Sequence, residues 1–189
     1  MPSMFRNRRR RSFALAAVAG GLALCGTIFV SFGNGTAHAD DAIAYAPSKC
    51  DFGVIFPGEP HHVPIAEHRG RKTASAVIET ASARLSASCT TGYPPGYFAD
   101  VSDEELAEFV TSRISVEDPE VQVERVRGFP RVLVMGDVEY GGRAFVVRTL
   151  VAYGPTSRFT VEAITSMNEE GGQGGGDVAG RFLDSIYVK

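Results

Sequence analysis

The chain has 189 residues, 44% of them hydrophobic, the composition of a soluble globular protein. Residues 1–39 hold five Arg and no acid, so the remaining 150 carry 14 basic and 22 acidic side chains, a formal charge of −8. That charge repels phosphate backbones and anionic headgroups, which argues against nucleic acid as a partner.

The N-terminus has the layout of an export signal. Arg8 to Arg11 form a basic start, Phe13 to Phe32 an apolar run broken by Gly20, Gly21 and Gly26, and Ala37-His38-Ala39 a small-residue cleavage site before Asp40-Asp41. Cleavage after Ala39 makes residues 1–39 a signal peptide and the product periplasmic or extracellular. Arg10-Arg11-Ser12-Phe13-Ala14-Leu15 fits the twin-arginine pattern, and four consecutive arginines equally fit an ordinary Sec signal. Retention of the apolar run as an anchor is the competing reading. Contact with a membrane is expected only through this segment.

Loss of Cys25 with the signal leaves Cys50 and Cys89. An even pair in an exported protein, with no Cys-x-x-Cys, reads as one structural disulfide. About 150 residues make a single domain, large enough for a core without metal or many disulfides. Its expected extent is 50–189, after a linker at 40–49.

Phe52 to Phe56 alternates as a strand and is stopped by Pro57-Gly58 and Pro60; the chain end, Phe182 to Val188, is expected to return to it. Pro57 to Gly70 reads as a loop. Lys72 to Thr80 and Ala83 to Thr91 read as two strands turning at Ala81-Ser82, with a helix over Ala74 to Ala87 as the alternative, because the run is rich in Ala and Ser. Tyr93-Pro94-Pro95-Gly96-Tyr97-Phe98 is a rigid aromatic turn. Ser102-Asp103-Glu104-Glu105 is a capping box, with Val101 and Leu106 placed as a hydrophobic staple; it opens a helix expected to end near Ser115.

From Val121 the period becomes two. Arg131 to Tyr140, a Gly141-Gly142 turn and Arg143 to Ala152 predict a hairpin, and Arg158 to Thr165 the next strand of a meander. Tyr140, Phe145, Val147 and Tyr153 are expected on its packing face with Val132 and Val134. Gly171 to Gly176 reads as a flexible segment rather than a phosphate loop, since no Lys-Ser/Thr follows it. Asp177 then caps a last short helix with Val178, Phe182 and Leu183 inward.

The run Phe52 to Pro60, the middle helix, the Gly128-Phe129-Pro130 turn into a meander and the ending Arg181-Phe182-Leu183-Asp184-Ser185-Ile186 resemble small exported bacterial proteins of the PsbP/Mog1-like type. The resemblance covers most of residues 50–189. It implies an α+β fold, an α/β/α sandwich in which a predominantly antiparallel sheet is flanked by two principal helices. It also implies functions such as assembly factor or non-enzymatic accessory subunit, and carries over no catalytic residue.

Two candidate sites follow. His61, His62 and His68, with Glu59 and Glu67 beside them, have the ligand chemistry for zinc or copper and would support a metal-binding or metal-dependent hydrolytic protein. Tyr93, Tyr97 and Phe98 form a candidate contact surface for a protein partner, because a proline-stiffened loop presents aromatics at low entropic cost. No Gly-x-Ser-x-Gly nucleophile motif is present, and the acids of Asp100 to Glu108 are accounted for by capping and a solvated helix face. The sequence therefore favours a non-enzymatic accessory or assembly factor acting by protein contact.

Overall fold

The computed structural model describes residues 42–167 and 172–189. The expected signal peptide, its cleavage site and the two-arginine motif lie outside the described residues. Ten strands and two helices follow in the order β1 (Ile43–Tyr45), β2 (Phe52–Phe56), β3 (His61–His68), β4 (Arg71–Glu79), β5 (Ala83–Thr91), α1 (Asp103–Thr111), β6 (Glu117–Val126), β7 (Phe129–Tyr140), β8 (Arg143–Tyr153), β9 (Ser157–Ser166), α2 (Gly172–Asp184) and β10 (Tyr187–Val188).

This corrects the expected fold class. The described residues are mostly antiparallel strand and form a β-sandwich, not an α+β protein of α/β/α layers. A seven-stranded sheet runs in the order β3-β4-β5-β9-β8-β7-β6, and a three-stranded sheet in the order β1-β2-β10. Phe52, Val54 and Phe56 of the small sheet share one core with Leu85, Ala87, Phe159, Val161 and Ala163 of the large one. The helices, of nine and thirteen residues, are too short to form covering layers of their own. Part of α2 fills out the first core through Ala179, Phe182 and Leu183. On the opposite face of the large sheet, Leu106 and Val110 of α1 pack with Val132, Val134, Val151 and Tyr153.

β2 holds the small sheet together. It pairs with β1 through Ile43↔Phe56 and with β10 through Tyr187↔Gly53, so the chain end does return to it. Asp51 fastens its start to the β8–β9 turn. The Asp51 carboxylate accepts from Ser157 Oγ at 2.6 Å and from the Thr156 amide at 3.2 Å, and its own amide donates to Ser157 Oγ at 3.0 Å. The expected Cys50–Cys89 disulfide is formed, with Cα atoms 6.2 Å apart, and joins the entry to β2 with β5 of the large sheet.

β4 and β5 form over the Ala/Ser-rich run. Ala74 and Ala76 alternate with Thr73 and Ser75, and Ala83, Leu85 and Ala87 with Arg84, Ser86 and Ser88. The apolar set faces the first core and the polar set the other side, a period of two that a helix cannot use.

Four local expectations are corrected. The linker contains β1. Pro57 to Gly70 is not all loop: His61–His68 is an edge strand with every residue exposed. Tyr140 stands 79% exposed at the hairpin tip instead of on the packing face. The last helix starts at Gly172, so Asp177 lies inside it and pairs with Arg181 at 2.6 Å rather than capping it. Glycines give no pattern signal for a helix. This one is held by the packing of Ala179, Phe182 and Leu183 rather than by propensity.

Both open edges of the large sheet are interrupted in the same way. The β3 ladder shifts register between Val63 and Ala66, around Pro64; the β6 ladder shifts between Glu117 and Glu120, around Pro119. A proline lacks the amide donor and a bulge breaks the regular row, so each edge is left with only short regular stretches, Ala66–His68 of β3 among them.

A candidate binding cleft of rings and arginines

The aromatic turn is anchored at both ends. The Tyr93 amide donates to the Thr156 carbonyl at 3.3 Å and the Gly96 amide to the Pro155 carbonyl at 3.2 Å, which stitches it to the β8–β9 turn. Inside it, the amides of Tyr97 and Ala99 donate to the carbonyls of Pro94 and Gly96 at 3.1 and 2.9 Å. Gly96 has φ +76°, a value side-chain-bearing residues rarely adopt.

The turn folds its rings onto the sheet. The Tyr93 ring lies 4.7 Å from Phe98 and 5.4 Å from Tyr97, and Phe98 lies 4.6 Å from Tyr153 of β8. Tyr93 and Phe98 are buried, whereas Tyr97 is 51% exposed. Of the three aromatic residues singled out in the sequence, two therefore build the site and one presents it.

Beside this stack opens a cleft of about 630 Å³, within the size range of small-ligand sites. Its walls are the aromatic turn, α1, the β3–β4 hairpin and the large sheet. The capping box sets α1. Glu105's amide donates to Ser102 Oγ at 3.2 Å, and Ser102's amide donates to the Glu105 carboxylate at 3.0 Å. The bond from the Ser102 amide, with a smaller contribution from the Ser102 hydroxyl, holds the Glu105 carboxyl below its ordinary pKa. The helix ends at Thr111, earlier than expected, with Ser112 as its C-cap. Phe109 and Arg113 stand four positions apart and both line the cleft. On the opposite wall, Arg69 and Gly70, both at positive φ, turn the hairpin so that Ala66, His68 and Arg71 border the opening.

Arginines sit against rings around this cleft. The Arg71 guanidinium lies 4.4 Å from the Tyr93 ring centre and 5.8 Å from that of Tyr97. Arg113 and Arg158 approach the Phe109 ring at 4.1 and 5.9 Å. Such contacts fix a guanidinium without neutralising it. Among the described residues the ion pairs are Glu67–Lys72, Glu79–Arg84, Asp103–Arg125 and Asp177–Arg181, so none involves Arg71, Arg113 or Arg158.

Tyr153 is 1% exposed, yet among the described residues its hydroxyl has no hydrogen-bond partner, and neither has the buried Nε of Arg158. Burial pushes the Tyr153 pKa up to about 12, with Arg158 and Arg113 pulling against that rise. At neutral pH it is an O–H donor beside two cations. Buried donors are nearly always paired, and leaving one unpaired costs about 1–3 kcal/mol.

The three histidines are not brought together. His61 and His62 sit at one end of β3, opposite Val77 and Ala76, while His68 sits at the other, opposite Arg71. The bulge between Val63 and Ala66 reverses the sides: His62 lies 5.8 Å from the Tyr45 ring on the first-core face, and His68 borders the cleft. Among the described residues no group of three His, Cys, Asp or Glu side chains could hold a metal ion.

Sequence reasoning found Tyr93, Tyr97 and Phe98 but missed Arg71, Arg113, Arg158, Phe109 and Tyr153. Arg113, at the helix end, and Arg71, beside Gly70, were visible as residues. What brings them together is the pairing of β4 and β9 on either side of β5.

No protein-family model matches the chain, and no curated protein does. Several solved structures share features of its chain path. The cyanobacterial PsbP protein (CyanoP) of Synechocystis sp. PCC 6803 is 14% identical, with a TM-score of 0.49, over 87% of this chain and 100% of that one. A protein of Bacteroides thetaiotaomicron is 9% identical, with a TM-score of 0.44, over 74% of this chain; the match spans 45% of that longer chain. LpqN, involved in cell envelope biogenesis of Mycobacterium tuberculosis, is 13% identical, with a TM-score of 0.38, over 79% of each chain. A protein of the PsbP type named by the sequence resemblance is thus among the structures this chain is similar to.

Proposed function

We propose that this chain is an exported, non-enzymatic accessory or assembly factor that works by holding a protein partner at the cleft between the aromatic turn, α1 and the sheet. The observation that carries this reading is the ring stack of Tyr93, Phe98 and Tyr153, which holds Tyr97 half exposed at the rim with the Arg71 guanidinium beside it. Tyrosine and arginine on a rigid, largely desolvated support are the residues that dominate binding energy at protein interfaces. Prolines and backbone bonds have already ordered the turn, so little conformational entropy remains to be lost on contact. The disulfide supports export, since such bonds persist outside the cytosol.

Site-specific photo-cross-linking tests the assignment. A photoreactive residue in place of Tyr97 is expected to give one discrete adduct in the native host. The same residue in place of Tyr140, equally aromatic and exposed at the hairpin tip, is expected to give none. Equal labelling from both positions, or none from Tyr97, contradicts the proposal.

A further inference from the structure

The charged side chains of the cleft indicate what it holds. Arg71, Arg113 and Arg158 line it without ion-pair partners among the described residues; Asp100 and Glu105 are its acidic lining residues. Three arginines against two carboxylates leave one positive charge uncompensated among these side chains. That balance suits a monoanion and disfavours a phosphate dianion, which the two carboxylates would repel.

The geometry narrows the anion further. Arg113 and Arg158 are both held against the Phe109 ring, and the unpartnered Tyr153 hydroxyl and Arg158 Nε are buried donors in the same wall. A planar carboxylate accepts two parallel bonds from a guanidinium and one from a hydroxyl, which would satisfy donors left unpaired among the described residues. The rings of Tyr93, Phe98 and Phe109 provide an apolar wall for whatever carries that carboxylate. One side of the opening is the second half of β3, through Ala66 and His68, and β3 is an edge strand whose outer side has no neighbour in the sheet. An extended segment leaving the cleft would find free backbone groups there.

Resting on the reading of this cleft as the working surface, we infer that it captures the C-terminal carboxylate of a partner polypeptide whose last residue is aromatic or large and apolar. Arg113, Arg158 and Tyr153 bind the carboxylate, the ring wall takes the last side chain, and the residues just before it run along the short Ala66–His68 stretch of β3.

Calorimetric titration of the full chain, purified from its host, tests this with hexapeptides ending in Phe as the free acid or as the amide, and with 3-phenylpropionate. The acid peptide is expected to bind at least tenfold more tightly than the amide. Arg113→Gln/Arg158→Gln should bring the two peptides level, and Tyr153→Phe should weaken the acid severalfold, in variants whose melting curves show them folded. The wild-type acid–amide comparison stands whatever the variants do. Equal binding of acid and amide, or binding of neither, overturns the inference. If 3-phenylpropionate binds as tightly as the acid peptide, the ligand is a free acid and the chain-end assignment is overturned. An adduct from position 97 alongside a failed titration removes this inference alone; absence of both removes the contact reading as well.

Discussion

Replacing both disulfide cysteines, as Cys50→Ser/Cys89→Ser, is expected to lower the unfolding free energy by about 3–4 kcal/mol. The bond closes a 39-residue separation that contains β2, β3, β4 and most of β5. Without it the unfolded chain gains the entropy of that loop, and the small sheet loses its covalent tie to the large one. Both cysteines are buried, at 4% and 1% exposure, so the serine hydroxyls would also enter an apolar core. Urea unfolding of wild type and variant, fitted with a common slope, reads the difference. A midpoint that does not move would show that the Asp51–Ser157 bonds and the shared core already fix the two sheets together.

Phe52→Ala is expected to cost about 3–5 kcal/mol, close to the limit for a single truncation. Phe52 has no exposed surface and lies between the rings of Phe129 at 5.9 Å and Phe159 at 6.2 Å. It thus joins β2 to β7 and β9 across the sandwich, and neighbours fixed in paired strands of the large sheet cannot collapse into the space it leaves. Ile55→Ala is the control. Ile55 is the exposed residue of the same strand, at 41%, and its loss should change stability by less than about 0.5 kcal/mol. Similar losses at the two positions would mean that β2 does not present its Phe52 face to the large sheet.

Much of the strand layout was legible because its causes are local. β2 ends where Pro57-Gly58 ends it, the Gly141-Gly142 turn sets the β7–β8 register through Tyr140↔Arg143, and the capping box starts α1 at the expected residue. The Ala/Ser run was ambiguous by composition and resolved by alternation: Ala76 and Ala87 face the core, Ser75 and Ser88 do not. The fold class was misread because it depends on how the elements stack. Nothing local to Ile43–Tyr45 or His61–His68 says that the first completes a second sheet or that the second borders the first sheet. A bulge at Pro64 also hides the alternation of β3.

The site divides along the same line. Its aromatic turn is contiguous and could be seen. Its cations come from β4, the end of α1 and β9, which meet only through sheet order. The histidine cluster shows the converse: residues close in sequence are carried to opposite ends and opposite sides of one strand.

Hydrogen exchange across the full chain, alone and bound to the partner captured through position 97, tests most directly whether the cleft is where the protein works. The account predicts added protection over Thr90–Arg113 and along Ala66–Arg71, with none at Glu139–Arg143. Protection centred on the β7–β8 hairpin tip or on β6, with the cleft unchanged, would contradict it.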